Sequence, residues 1–218
     1  MHTASQIHLG QARDTSANLE LPTTAELETL LMASLLDENG QKIAFGDILS
    51  AAATTSEKTV IVLFLRHFWC PLDQDYVQEL VDILRRLKAI PQVILVSNGS
   101  PALITKYKEI FDIAGKNGPR LKISMFTDPS CRTYRMLGME NSGSPSRSYI
   151  KHASAVGGIA TVVMRAIKVG MPVWEKGGVI KQLGGELVNS NVNVACMYAH
   201  RMSHSQDHTP FEDVLKMA

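Results

Sequence analysis

The stretch "TVIVLFLRHF", residues 59–68, limits the fold more than any other part of the chain. It is far shorter than the roughly 20 residues of a membrane span. Its apolar positions are continuous rather than alternating, and β-branched and aromatic side chains dominate. That pattern predicts a central strand covered on both faces. "PLDQDYVQELVDILRRLKAI" follows, with Tyr76, Val77, Leu80, Leu84 and Leu87 on one helical face. Asp73 and Asp75 fall in its first turn and Arg85, Arg86 and Lys88 in its last, as the helix dipole favours. "PQVILVSN" predicts a second buried strand, "SPALITKYKEIFDIAG" a helix with Gly115 as its C-cap, and "RLKISMFTDPS" a third strand.

The flanking segments complete this frame. "PTTAELETLLMAS" predicts a short helix capped by Thr23 or Thr24, with Glu26 or Glu28 in the first turn and Leu27, Leu30 and Leu31 on one face. "LLDENGQKIAF" predicts a hairpin around Asn39-Gly40, and "FGDILSAAAT" a helical turn. "SCRTYRMLGM" predicts a short helix, residues 140–148 a loop, and "YIKHASAVGGIATVVMRAIKVG" a helix. "GGVIKQLGGELVNSNVNVACMYAH" predicts two strands joined near residues 189–193, and "TPFEDVLKMA" a closing helix. The expected class is α/β: a central mixed sheet flanked by helices. Residues 1–21 are polar and expected to form a flexible arm before a single domain over residues 22–218.

Charge narrows the function. The 218 residues carry a net charge of +1, which favours neither nucleic acid nor an anionic membrane surface as partner. The N-terminus lacks the basic and apolar regions of a secretory signal. Three widely spaced cysteines, Cys70, Cys131 and Cys196, predict free thiols and a reducing, cytoplasmic location.

The chemistry concentrates in "RHFWCPLDQDY", residues 66–76. With Pro71 at the first helical position, Cys70 becomes the N-cap, where free amides stabilise a thiolate. Arg66 and His67 add positive charge; Asp73, one turn on, opposes ionisation. Each residue also has a plainer reading. Cys70 can be a small core residue, Asp73 can cap the backbone amide of the N-cap residue, and His67 can hydrogen-bond in the core. Phe68 and Trp69 either wall an apolar substrate pocket or end the strand in the core. Cys131 reads as a resolving thiol, a packed one, or an exposed one unrelated to the chemistry, and Cys196 as core. His200, His204 and His208 are spaced four apart, but Ser203, Ser205 and Asp207 favour a turn over a metal-binding helix, so no metal is expected. "GGVIKQLGGE" lacks the strand–glycine–helix context of a nucleotide site, and no cofactor is expected.

Three blocks, "VLFLRHFWCPLDQDYVQEL", "FTDPSCRTYRMLGM" and "GGVIKQLGGELV…CMYAHRMSHSQDHTPFEDVL", resemble the fungal AhpC/TSA-type, peroxiredoxin-like proteins of the thioredoxin-like superfamily, from about Pro22 to the end. The resemblance implies a thioredoxin-like fold with peroxiredoxin-like insertions. It implies antioxidant or thiol-dependent reductase activity, and relatives include a prostaglandin F synthase that reduces an endoperoxide. Such proteins commonly carry Cys-Pro-Leu-Cys where this chain has Cys70 to Asp73, so a two-thiol cycle within the motif is closed to it. The Thr-x-x-Cys of ordinary peroxiredoxins is also absent, since residues 66–69 supply no threonine. By the same resemblance Arg201 orients a peroxide and stabilises a thiolate; its plainer reading is a surface arginine or one paired with Asp207.

The leading expectation is a thiol-dependent oxidoreductase. Cys70, with Asp73 and Arg201, reduces a peroxide, endoperoxide or similar small electrophile bound near Arg66, His67, Phe68 and Trp69. An external thiol or Cys131 then restores Cys70, and a homodimer is the assembly considered. Two readings stay open beside it. One is a non-redox enzyme of fungal secondary metabolism with Asp73 as general acid or base; the other is a binding module without catalysis.

Overall fold

The computed structural model describes residues 17–53, 59–116, 118, 121–139, 164, 166–190 and 195–218. Seven strands form one mixed sheet: β1 (Ser34–Leu36), β2 (Lys42–Ala44), β3 (Thr59–Phe64), β4 (Gln92–Ser97), β5 (Ile123–Thr127), β6 (Gly185–Ser190) and β7 (Cys196–Arg201). Their spatial order is β2-β1-β5-β4-β3-β6-β7. β3, β4 and β5 run parallel, and the strands outside them pair antiparallel. The "TVIVLF" run is therefore a central strand, between β4 and β6, and Val60 to Phe64 are fully buried.

Helices cover both faces: α1 (Thr24–Leu31), α2 (Phe45–Ala53), α3 (Pro71–Arg86), α4 (Ile104–Ile110), α5 (Arg132–Met136) and α6 (Phe211–Lys216). Because strand side chains alternate, Ile61 and Leu63 of β3 pack with α3, α4 and α6, whereas Val60, Val62 and Phe64 pack with α1, α2 and α5. Tyr76, Val77, Leu80 and Leu84 anchor α3 in the first cluster. Each such side chain contributes about 1.5–3 kcal/mol on burial, so the start of α3 is firmly fixed above the sheet.

Local signals translate closely into structure. Thr23 and Glu26 form the capping box of α1, and Gly40, at φ 76°, turns the β1–β2 hairpin. Three elements differ from expectation. α3 stops at Arg86 because Leu87 is extended, leaving Lys88 outside the last turn. The helix after β4 begins as a 3-10 turn, Pro101–Leu103, and ends at Ile110; Asp112 at φ 48° breaks it, so Gly115 closes a turn beyond the helix. β6 starts only at Gly185; residues 178–184 before it are irregular apart from a single bridge at Gln182.

The expected loop over 140–148 and the joint between β6 and β7 at 191–194 lie outside the described residues, as does most of the helix expected from Tyr149 onward. Residues 166–168 are helical. Of residues 1–21, those described include a 3-10 turn, Ala17–Leu19, lying against β7.

Candidate active site

Cys70 is the N-cap of α3, with Pro71 at the first helical position, as the sequence predicts. Its backbone is extended and its side chain caps no helical amide. The sulfur is instead met by Arg66, whose Nη1 donates to Sγ at 3.3 Å. The rest of the Arg66 guanidinium is committed: Nε donates to the Gln182 carbonyl at 3.3 Å and Nη2 to the Ile180 carbonyl at 2.9 Å. The 178–184 segment thus holds Arg66 in place with two backbone carbonyls.

Asp73 is fully buried. Its Oδ2 accepts the backbone N–H of Arg66 at 2.6 Å and of His67 at 3.2 Å. The Cys70 amide, which a cap at this position would take, donates to the His67 carbonyl instead. Asp73 therefore ties the β3–α3 junction around Cys70 rather than capping it. Its Oδ1 faces His208, whose Nε2 donates at 3.1 Å. The other His208 nitrogen, Nδ1, donates at 2.6 Å to Oε1 of Glu186, and the second Glu186 oxygen accepts from His200 Nδ1 at 2.6 Å. The row ends at Asp207, 3.7 Å from His200 Nε2 and fixed by the Ser203 amide and hydroxyl. Tyr76 stacks flat on the His208 ring, with centroids 4.3 Å apart and planes 8° apart.

Strand register puts this row beside Cys70. Leu63 pairs with Glu186, and Glu186 pairs with His200. Residues directly opposite in antiparallel strands share a face, and this face carries α3. Arg201, the next residue along β7, points the other way. It pairs with Gly185, which lies opposite Phe64, and its Nη1 donates to the Glu20 carbonyl at 2.6 Å while its Nε donates to the Leu137 carbonyl. The arginine placed at the thiol is Arg66, and strand alternation is the reason it is not Arg201.

The electrostatics follow from burial and these contacts. Cys70 is only 1% exposed. Burial first, and the Asp73 carboxylate second, push its thiol up to about 12, against the pull of Arg66. Burial disfavours charge on Asp73 too, but the hydrogen bond and charge of His208, aided by Arg66, hold its carboxyl below the usual range. For His208 burial favours the neutral ring, yet Asp73 and Glu186 outweigh it and raise the imidazole to about 9. Burial takes His67 down to about 4, and its ring Nδ1 is buried without a hydrogen-bond partner. At neutral pH the site holds a thiol, an ionised Asp73 and a cationic His208.

The other predicted residues are placed as follows. Phe68 is fully buried, its ring 5.2 Å from that of Tyr107, and belongs to the core. Trp69 is partly exposed and lies against Gly177. A side chain at Gly177 would fall within the Trp69 ring, and one at Gly178 (φ 125°) would strike Asn98 and His67. Close backbone approach is what this glycine pair supplies. Gly177→Ala is expected to cost about 1–3 kcal/mol by overpacking, read as a fall in the denaturant midpoint with unchanged slope; an unchanged midpoint would show that Trp69 yields freely. The three cysteines are free. Cys131 packs in the cluster with α1, α2 and α5, on the far face from α3. His204 is exposed, so the three spaced histidines do not converge; among the described residues no group of His, Cys, Asp and Glu is arranged for a metal ion, and no helix is long and apolar enough to cross a membrane.

Sequence reasoning does not reach Glu186 or the role of His208 at this site. One signal for Glu186 is present: an acid inside an apolar strand must find a partner, because an unpaired buried charge is expensive.

Comparison with known proteins adds the family. Residues 79–204 match AhpC/TSA antioxidant enzymes. The chain is 28% identical over 190 residues to human peroxiredoxin-like 2C, covering 84% of this chain and 76% of that protein, and 27% identical to the Mus musculus protein over the same shares. Among solved structures, a cysteine-to-serine mutant of the peroxiredoxin 6 of Arenicola marina superposes with a TM-score of 0.52 at 10% identity, covering 84% of this chain and 67% of that one. The bacterioferritin comigratory protein of Xanthomonas campestris gives 0.52 at 11%, covering 91% and 95%. At such identities these structures speak for a thioredoxin-like fold alone. The family match begins beyond Cys70 and Asp73, so their roles rest on geometry, but it spans more than half of the sequence: the chain belongs to the AhpC/TSA antioxidant enzyme family.

Proposed function

We propose that this protein reduces a small peroxide or a comparable O–O compound through Cys70. The observation that carries this reading is the placement of Cys70 at the head of α3, with an Arg66 N–H donor 3.3 Å from its sulfur and the Asp73 carboxylate within reach of its thiol. With the thiol at about 12, only roughly one molecule in 10⁵ is thiolate at pH 7. A reaction drawing on that fraction alone is slow. A proton acceptor that acts as the sulfur attacks contributes typically 10²–10⁴-fold, and Asp73 is the ionised group beside the thiol.

The Cys70 sulfur bonds to the distal oxygen of R–O–O–H, the O–O bond breaks, and the thiol proton passes to Asp73. The departing alkoxide takes a proton from water, Asp73 returns its own to water, and the sulfur, oxidised by two electrons, is left as sulfenic acid. Arg66 faces the oxygen that bonds to sulfur, and the Trp69 edge borders the substrate; His67 and Phe68 back the site from the core. One external thiol displaces water to form a mixed disulfide, and a second releases the Cys70 thiol. Cys131 lies in the cluster on the opposite face of the sheet, which favours an external thiol as the resolving group.

The test is brief treatment with cumene hydroperoxide followed by dimedone and mass spectrometry. Cys70 should carry the dimedone adduct, Cys131 and Cys196 should not, and a small thiol added before dimedone should remove it. A Cys70 that gives no adduct while the protein remains folded would rule the reaction out and favour the non-redox use of Asp73.

A further inference from the structure

No step of that reaction passes a proton through the row behind Asp73. A structural ion pair would suffice to dock the C-terminal segment, yet His208 commits both ring nitrogens to carboxylates from two different elements, Asp73 of α3 and Glu186 of β6. Its side chain is 8% exposed, and both carboxylates are fully buried. The groups facing it are Asp73 and Tyr76 from α3 and Glu186 from β6; His200 of β7 lies behind Glu186, and Arg66 and His67 lie beyond Asp73. Tyr76 stacks on one face of the ring, and its hydroxyl donates at 3.0 Å to the carbonyl of Thr209, the residue after His208. Thr209 is held again by the Tyr198 hydroxyl at 2.9 Å. The ring is thus fixed from α3, β6 and β7 at once, with one N–H aimed at the oxygen of Asp73 that the backbone amides leave free.

We propose that His208, braced by Glu186, is a positioning residue for the Cys70 reaction: it holds the Asp73 carboxylate oriented and anionic, so that the C-terminal segment completes the active site. This rests on Asp73 being the proton acceptor. Two carboxylates and a thiol meeting in one buried volume cannot all shed protons cheaply. The imidazolium between the carboxylates offsets that repulsion, and its fixed N–H keeps one Asp73 oxygen occupied while the other stays with the amides at the thiol. When Asp73 takes the thiol proton, the His208–Glu186 pair stays charged and favours its release, which returns the site to its starting state.

The experiment compares the full-length wild type with His208→Gln and Glu186→Gln. Single-turnover oxidation of Cys70 by cumene hydroperoxide is followed from pH 9 down to the lowest pH at which each protein stays folded, beside thermal unfolding. His208→Gln should slow oxidation at least about tenfold at neutral pH and move the acid limb of the profile to higher pH, because an Asp73 without its cation holds its proton more tightly. Glu186→Gln should move the limb the same way by less. Rates and limbs matching the wild type in folded variants, with only the melting temperature lowered, would make His208 a structural clamp and overturn the proposal. Should the variants fail to fold, wild-type protein decides: ¹⁵N spectra should show both His208 ring nitrogens protonated at neutral pH, and a neutral ring, which cannot donate to both carboxylates, overturns the coupling. A wild-type Cys70 inert to hydroperoxide would sink the peroxide reaction itself; the iodoacetamide alkylation profile of Cys70 then reads the same coupling in the same variants, so the two failures are distinct.

Discussion

Asp73→Asn is expected to bring the Cys70 thiol down from about 12, while leaving it above an ordinary thiol. The direction follows from removing a negative charge beside a forming thiolate. The ceiling follows from the order of the causes: burial acts on Cys70 more strongly than Asp73 does, and burial remains. The fold should survive. Asparagine offers one oxygen to the Arg66 and His67 amides that Oδ2 now accepts and one N–H₂ to a neutral His208, so the cost is that of a weakened charged hydrogen-bond set, about 1–3 kcal/mol. His208 should lose part of its elevation at the same time. Ultraviolet titration of the thiolate and iodoacetamide alkylation at neutral pH measure the effect, the latter quickening roughly tenfold per unit. Peroxide reduction should move the opposite way relative to alkylation, because the variant has more thiolate but no proton acceptor. If Asp73→Asn leaves the Cys70 titration in place, the carboxylate is only a brace for the β3–α3 junction.

The second large effect is on stability against pH. The ring of His208 titrates at about 9 in the fold against 6.5 for an ordinary imidazole. The stabilisation it brings is therefore complete below about pH 6.5 and lost as pH rises through 9, on the order of 3 kcal/mol. His67 acts in reverse. Held at about 4 in the fold, it takes up a proton on unfolding, so its contribution is present above pH 6.5 and lost as pH falls towards 4, by a similar amount. The two slopes meet in a maximum near pH 6.5. The depressed carboxyls of Asp73 and Glu186 act below this window, their stabilisation lost as pH falls through the carboxylate range, and the raised Cys70 thiol acts above pH 9. Urea midpoints from pH 4 to 10 should trace the maximum. His208→Gln should flatten the alkaline arm and His67→Gln the acid arm. Wild-type stability that is level between pH 7 and pH 9 would contradict a cationic His208.

Much of the molecule is determined by the sequence alone, wherever the cause is local. A short continuous run rich in β-branched and aromatic residues favours a doubly covered strand, and β3 lies at the centre of the sheet. The apolar face of residues 76–84 buries α3, Asn39-Gly40 turns the hairpin, and Pro71 after Cys70 starts a helix with the cysteine as its N-cap. These signals act over one or two turns of chain, and the physics that reads them is periodicity, capping and fixed φ. The partner of Asp73 lies beyond that reach. Asp73 and His208 are 135 residues apart in sequence, and only the antiparallel register of β3, β6 and β7 puts Glu186 and His200 on the face of α3. The same register turns Arg201 away and leaves the thiol to Arg66. The protonation of the site was likewise a tertiary decision. A helix start by itself favours a thiolate, but the fold encloses Cys70 beside an anion, and the cost of burying charge exceeds what Arg66 and the helix start return.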